Sequence, residues 1–554
     1  LADTLLLPRG KTLWRASVTT VWVVQAILLV TVAWLNPNQI DEDTVYYLRI
    51  AHYYASGQTH LMISAYWGPM LSWLIAPGLL LFQDPLLAAR TAMAVSGMVF
   101  LSGCFFVLRA ARLPPAGILV GTWITALVGV AWSVDTISPD LLMTGLLAFG
   151  TSRLLSDKWV TNDRRAISAG FVLGASYLAK AVALPVSIMI VVLLAGTKVT
   201  LSQSTLRHAI RASLLTLAGL LIVAGPWIGL LSYKYRHPMI SGSAAIAHAI
   251  VGPPDLDRYH PEVRTFHQPA PGRVGAGEDL TVMPYKYWSP FESAGYAVHQ
   301  LRIIYYNAAT IVGHLKGFDW LGLGLVSAVF GYVFASPWRQ SHREEPWRSF
   351  LIPIVCSAAI YLPVYALDRR YYLPAVPFLV SASLGFALSL STAMSKNYRM
   401  NQAAALMLVT LSFVVGNESF FRKAFDPSAS ANKDYLAARV LAEKIRSTDL
   451  AGPIASVGPT HRTGLFLAYL LDVPWFGQKE EVANTDEVLS SGAALVVLPR
   501  GSTTAQQLRE DPRFSSTERR LFGCDGRSPK LKFEVYAIKP QSAEDICPSS
   551  GSER

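Results

Sequence analysis

Three consecutive acids, Asp41, Glu42 and Asp43, stand where the segment 36–55 (NPNQIDEDTVYYLRIAHYYA) turns from an acidic loop into a helical pattern. Tyr47, Ile50, Ala51 and Tyr54 recur at i, i+3, i+4 and i+7, the spacing of an amphipathic helix lying along a membrane surface. A carboxylate held just above hydrocarbon is costly to desolvate, so it has either a chemical task or a charged partner. Further charges interrupt otherwise apolar sequence at Asp140, Lys180, Glu278, Asp279, Arg369 and Arg370. Arginine can grip a phosphate in bidentate fashion, lysine supplies a point charge, and a carboxylate can take the proton of an acceptor hydroxyl. These types together suit transfer from a lipid-borne, phosphate-containing substrate to an acceptor. Each also has a structural reading: Asp41, Glu42 and Asp43 as loop or helix-capping acids, Asp140 as a cap after Pro139, Lys180 as a snorkelling cation. Of Arg369 and Arg370, one is expected to anchor and one to act.

The elements that must position these residues are membrane helices. Of 554 residues, 52% are hydrophobic and only 15% charged, with a mean hydropathy of +0.34. Soluble domains carry about 25% charged residues. The net charge of +11 does not indicate nucleic acid: residues 417–554 hold 18 Lys and Arg against 18 Asp and Glu, which leaves 30 against 19 for the rest. No basic run interleaved with aromatics accompanies that excess, so a phosphate-tracking groove is excluded.

Eleven apolar runs are expected to span the membrane: 18–35, 86–108, 116–132, 141–155, 166–179, 181–195, 212–231, 319–334, 350–367, 371–390 and 403–415. The first lacks a signal-peptide cleavage pattern and is kept as a span. Residues 65–82, broken by Pro69 and Pro77, fit a re-entrant or surface-lying hairpin. With the N-terminus inside, the inner segments, with cations such as Arg339, Arg343 and Lys396, carry 17 Lys and Arg against 5 acids, and the outer segments of the membrane part 13 against 14. That asymmetry obeys the positive-inside rule. The C-terminus and the loops 36–65 and 233–316 then lie outside, and the long second loop is of a length that is commonly functional. The membrane domain is expected over 1–416. Residues 417–554 are expected to form a small α/β domain, from helical patterns at 434–447 and 464–471 and strand patterns at 454–457, 493–498 and 533–538.

Cys104 and Cys356 read as small residues within apolar spans, and Cys524 and Cys547 can pair only if their region faces an oxidising compartment. The loop histidines His237, His248, His260 and His267 lack metal-ligand spacing such as HExxH, and no Gly-rich nucleotide loop is present.

Four local patterns resemble the GT-C superfamily of polyprenyl-phosphate-sugar glycosyltransferases, in the branch of bacterial aminoarabinose transferases and protein O-mannosyltransferases. They are Asp43-Thr-Val-Tyr46-Tyr47-Leu-Arg-Ile-Ala, Tyr66-Trp67-Gly68-Pro69-Met70-Leu71, Ser138-Pro139-Asp140, and Arg370-Tyr371-Tyr372-Leu373-Pro374-Ala375-Val376-Pro377. With the topology they cover about the first 400 residues. The resemblance implies that Asp43 is the general base, or orients the acceptor, during inversion at the sugar C1, and that Asp140 supports it. It implies that Lys180 and Arg370, with Arg369 beside them, hold the donor phosphate. Asp41, Tyr46, Tyr66, Glu278, Asp279 and Tyr371 are then expected to contact substrate. Aminoarabinose transferases carry a lysine where this chain has Gly68, which shifts phosphate binding onto Lys180 and Arg370 and weakens the case for aminoarabinose itself.

The fold class expected is thus a polytopic α-helical membrane protein, GT-C-like, with a C-terminal soluble α/β domain. The function expected is transfer of a monosaccharide from a polyprenyl-phosphate (such as undecaprenyl-phosphate) donor to an envelope glycan, lipid or protein acceptor outside a bacterial inner membrane. No cofactor is firmly implied; a divalent cation bound by carboxylates is compatible with the spacing but not required. A lipid-linked-sugar flippase is the rival from another class, although no internal repeat accompanies the charges and they cluster at span ends on one face. A non-catalytic scaffold is the third reading.

Overall fold

The computed structural model describes residues 8–256, 260–335, 346–365, 367–393, 398–448, 450, 452–517, 521 and 532–538. Arg339, Arg343, Lys396, Cys524 and Cys547 lie outside them. The chain divides into two compact units. One comprises 1–37, 67–253 and 288–430; the other gathers 38–66, 254–287 and 431–554. This differs from the expected division at 416. The segment 417–430 stays with the helices, where Lys423 Nζ meets Asp135 Oδ1 at 2.9 Å, while the two loops join the C-terminal domain.

The helical unit places a helix on each of the eleven expected spans. Among the described residues six helices are long and apolar enough on their own to cross a membrane: Thr12–Leu35, Pro85–Ala110, Pro115–Asp135, Ala183–Thr200, Leu206–Tyr235 and Arg369–Ser391. A bent pair, Met400–Gly416 with Glu418–Phe425, brings that to seven. Helices Asp140–Leu154 and Asp163–Ala179 are shorter and are packed among these. Their neighbours approach backbone to backbone. A Cβ on Gly103 would lie 2.1 Å from the Gly145 carbonyl oxygen, so only glycine permits helices Pro85–Ala110 and Asp140–Leu154 to touch there. Small residues at such contacts are how helices gain packing in a bilayer. Pro69–Leu81 is one continuous 13-residue apolar helix with Pro77 inside it, too short to span alone, where a hairpin was expected.

Two expectations are corrected here. The long loop is shorter than 233–316, because Ala294–Phe318 is a 25-residue helix. Its polar residues hide the helix from a search for apolar runs, yet they have work inside the fold: Asn307 Nδ2 donates to the carbonyls of Leu362 and Val364 at 2.9 and 2.7 Å, and Gln300 Nε2 to that of Pro363 at 3.1 Å. Those carbonyls are free because the expected span 350–367 ends its helix at Ala359 and continues as turns.

The second unit holds a five-stranded sheet made of β1 (Ile454–Val457), β2 (Trp475–Lys479), β3 (Leu495–Pro499), β4 (Phe514–Ser516) and β5 (Phe533–Ile538), in the order β2-β1-β3-β5-β4. β1 runs parallel to β2 and β3, whereas β5 is antiparallel to β3 and β4. Val457, Val488, Val496, Leu498, Leu508, Phe514 and Tyr536 form its core. The long loop attaches at β2: Trp475 N–H donates to the Val274 carbonyl and His267 N–H to that of Phe476, each at 2.6 Å. The first loop attaches at Asn432, whose N–H donates to the Asn38 carbonyl and whose side chain donates to that of Ile40.

Candidate active site

In the helical unit, Asp140 is the first residue of its helix, after Pro139, and is only 1% exposed. Helix Asp163–Ala179 ends just before Lys180, which has extended backbone and begins a short break before the next helix. That break lets the lysine turn back, and its Nζ lies 2.7 Å from Asp140 Oδ1. The other oxygen, Asp140 Oδ2, is buried and has no hydrogen-bond partner. Lys180 Nζ also sits 4.6 Å from the centroid of the Tyr371 ring, and the Arg370 guanidinium 5.6 Å from it. Tyr361 stacks on the same ring with centroids 5.2 Å apart. Its hydroxyl is buried without a partner, and it lies within electrostatic reach of Asp140 and Arg370. Asp368 pairs with Arg370 at 2.7 Å. Two cations, an incompletely bonded carboxylate and a tyrosine pair thus converge from three segments. Lys180 and Arg370 could hold a phosphate here.

Gly68 acquires a structural reason. It precedes Pro69–Leu81 beside the end of helix Asp163–Ala179, and a Cβ there would lie 2.2 Å from the Ala179 carbonyl oxygen. No side chain fits, which is why a lysine cannot occupy this position.

Arg369 takes a different part from Arg370. Its guanidinium lies 4.5 Å from the Phe318 ring centroid, 4.9 Å from Phe420 and 5.8 Å from Trp132, and it donates to the Gly416 carbonyl at 2.8 Å. This aromatic cage ties the 369–375 turn to the last helices, an anchoring role in place of the expected phosphate contact.

In the second unit, Asp41 caps helix Glu42–Ala55. It accepts from Thr44 N–H at 2.9 Å, and Thr44 completes the capping box. That is a structural task for a residue expected to contact substrate. Glu42 accepts from Arg462 Nε at 2.7 Å and lies 2.9 Å from His461 Nε2. Burial pushes its carboxyl up, but these partners outweigh it and hold the pKa at about 2. Asp43, half-buried on the first turn, lies within electrostatic reach of His260. His260 Nδ1 is 2.8 Å from the Tyr285 hydroxyl. Burial lowers the His260 pKa, against the opposing pull of Asp43 and Glu42. His260 was set aside in the sequence because it lacks metal spacing; the available signal was its company of aromatics in a long loop.

Glu278 and Asp279 do not line a surface. Glu278 is fully buried, accepts from the Tyr53 hydroxyl at 2.6 Å and from Val274 N–H at 2.7 Å, and faces Arg49 at 3.9 Å. Burial pushes its pKa up while these donors pull it back. Asp279 lies 3.4 Å from buried Arg273. Tyr46 is 5% exposed and covers Gly277 so closely that a Cβ there would meet its ring at 2.3 Å. Of the expected substrate contacts, Glu278 and Tyr46 fasten the two loops to one another, and Asp279 is paired within its own loop. Tyr66, half-buried, ends the first of the unit's segments. Among the described residues no group of three His, Cys, Asp or Glu could hold a metal ion.

No protein-family model and no curated protein matches the chain. Solved structures do. ArnT from Cupriavidus metallidurans bound to undecaprenyl phosphate matches over 96% of this chain and 99% of its own, at 15% identity and a TM-score of 0.55. Its apo state matches with the same coverage at 14% and 0.54. The Archaeoglobus fulgidus oligosaccharyltransferase in its apo form matches over 87% of this chain and 69% of its own, at 12% and 0.49. The chain shares the fold of ArnT along nearly its whole length, a multipass helical architecture with a C-terminal α/β domain, as the motifs led one to expect.

Proposed function

We propose that this protein is an integral membrane glycosyltransferase that moves a monosaccharide from a polyprenyl-phosphate donor to a hydroxyl of an envelope glycan, lipid or protein. The observation that carries the reading is the convergence of Lys180 and Arg370 on Tyr371 beside Asp140, whose second oxygen is unbonded, within a fold shared with a structure that binds undecaprenyl phosphate.

The donor phosphate sits against Lys180 and Arg370. As the bond from the sugar C1 to the phosphate oxygen breaks, the electron pair leaves with the phosphate, and the two cations stabilise the growing negative charge. The acceptor oxygen attacks C1 from the opposite side, inverting it, and its proton passes to Asp43. Asp140 fixes the lysine ammonium in place. Orientation in a bacterial inner membrane, with N-terminus inside and both loops outside, belongs to the same proposal.

The test is transfer by purified protein from radiolabelled polyprenyl-phosphate sugars to an envelope extract, with wild type beside Asp43→Asn. Label in acceptor from wild type alone supports the reading. Equal transfer by both removes Asp43 as base. No transfer or hydrolysis of any donor, with movement of donor across reconstituted vesicles, replaces the enzyme with a flippase.

A further inference from the structure

The helices that present Asp140 and Lys180 have opposite ends, and those ends surround a cavity of about 570 Å³. Arg153 lies 13 residues after Asp140 on helix Asp140–Leu154, and Arg165 lies 15 before Lys180, so at about 1.5 Å per residue each stands roughly 20 Å along the helix from the site above. Arg109, Arg112, Arg153, Lys158 and Arg165 all line this cavity, against one acid, Asp157. Asp157 is already committed: it pairs with Arg112 and lies 3.8 Å from Lys198. Among the described residues no acid pairs with Arg109, Arg153, Lys158 or Arg165. Arg153 and Arg165 instead lie within each other's electrostatic reach, and each donates to a serine: Arg153 to Ser168 at 2.9 Å, Arg165 to Ser156 at 2.5 Å. Arg153 Nε is buried with no partner. The wall beside these cations is apolar, with Phe106 and Phe149 in contact at 4.6 Å between ring centroids and Leu155 nearby.

The positive-inside rule accounts for cations at this end of the helices but not for five of them lining one concavity. Like charges held together, with a buried guanidinium N–H unbonded, need an anion to complete them. A phosphate has the oxygens to bridge the forks of Arg153 and Arg165, and the apolar wall suits the chains that a lipid phosphate carries. We propose that this cavity is a second site, separate from the donor site, which takes the phosphate headgroup of an anionic membrane phospholipid at the opposite membrane face. It does not depend on the transfer reaction.

The test uses full-length protein in neutral phosphatidylcholine nanodiscs, titrated with phosphatidylglycerol and read by native mass spectrometry for retained lipid. Arg153→Gln, Arg165→Gln and exposed Lys158→Gln are compared with Arg207→Gln and Arg302→Gln, single-charge losses on the surface elsewhere. Retention should fall about fivefold for each cavity cation removed and stay unchanged in the two controls. Lys158→Gln keeps the test open if the arginine variants unfold. Equal retention in all variants, or equal losses in the controls, overturns the proposal. Complete displacement of the lipid by inorganic phosphate also overturns it, in favour of a free-anion site.

Discussion

Asp140 in the helical unit and Glu278 in the second unit are both buried carboxylates beside a cation, yet they end differently. Glu278 has both oxygens occupied, one by Tyr53 and one by the Val274 and Gly275 N–H groups, with Arg49 beyond. Asp140 has one oxygen on Lys180 and the other on nothing, and Lys180 keeps 25% of its side chain exposed. A saturated buried pair is a fastening. A pair with unfilled valence and an accessible cation is suited to a ligand.

The comparison can be broken from either side. Glu278→Ala should cost the most, about 3–5 kcal/mol of folding stability, because the buried Tyr53 hydroxyl and the Val274 and Gly275 N–H groups lose their charged acceptor; denaturant unfolding of the full chain would show it, and transfer per folded molecule should persist. Lys180→Ala should lower the transfer rate per folded molecule by about 10²–10³-fold, the usual cost of removing one charge-stabilising group, and should also lower the thermal midpoint, because Asp140 is left buried without its cation. Gly68→Ala should come next. Its Cβ must push helix Pro69–Leu81 off the Ala179 carbonyl beside Lys180; a displacement near 1 Å costs about 10²-fold in rate, and the overpacking about 1–3 kcal/mol in stability. The smallest effect concerns Glu42. Its pKa is lowered from 4.5 to about 2, so its pairing stabilises the fold above the unfolded value and is lost as pH falls from 4.5 towards 2. Acid unfolding followed by circular dichroism should show that loss, and Arg462→Gln should reduce it.

Much of this was legible in the sequence where the signal is local. Hydropathy found a helix at each expected span, and β-branched runs found β1 and β5 to the residue. Asp140 and Lys180 stood out as charges at the ends of apolar runs. What sequence concealed was pairing across distance. Nothing local says that Trp475 bonds to Val274, so the loops were assigned to the membrane domain when they belong with the sheet. Glu278 looked like a loop acid because its partners, Tyr53 and Arg49, lie more than 200 residues away. Arg369 and Arg370 are neighbours of identical chemistry, and only Phe318 and Phe420 folding around one of them tells them apart. The helix Ala294–Phe318 was lost in the loop because its polar residues satisfy carbonyls of another segment.

The most direct test is equilibrium binding of undecaprenyl phosphate, free of any sugar, to wild type, Lys180→Ala, Arg370→Gln and Arg369→Gln in detergent. The account predicts that the first two variants bind at least about tenfold more weakly, since each loses a charge-assisted contact to phosphate, while Arg369→Gln binds as wild type per folded molecule. Wild-type affinity in Lys180→Ala and Arg370→Gln would contradict it and move the donor phosphate elsewhere.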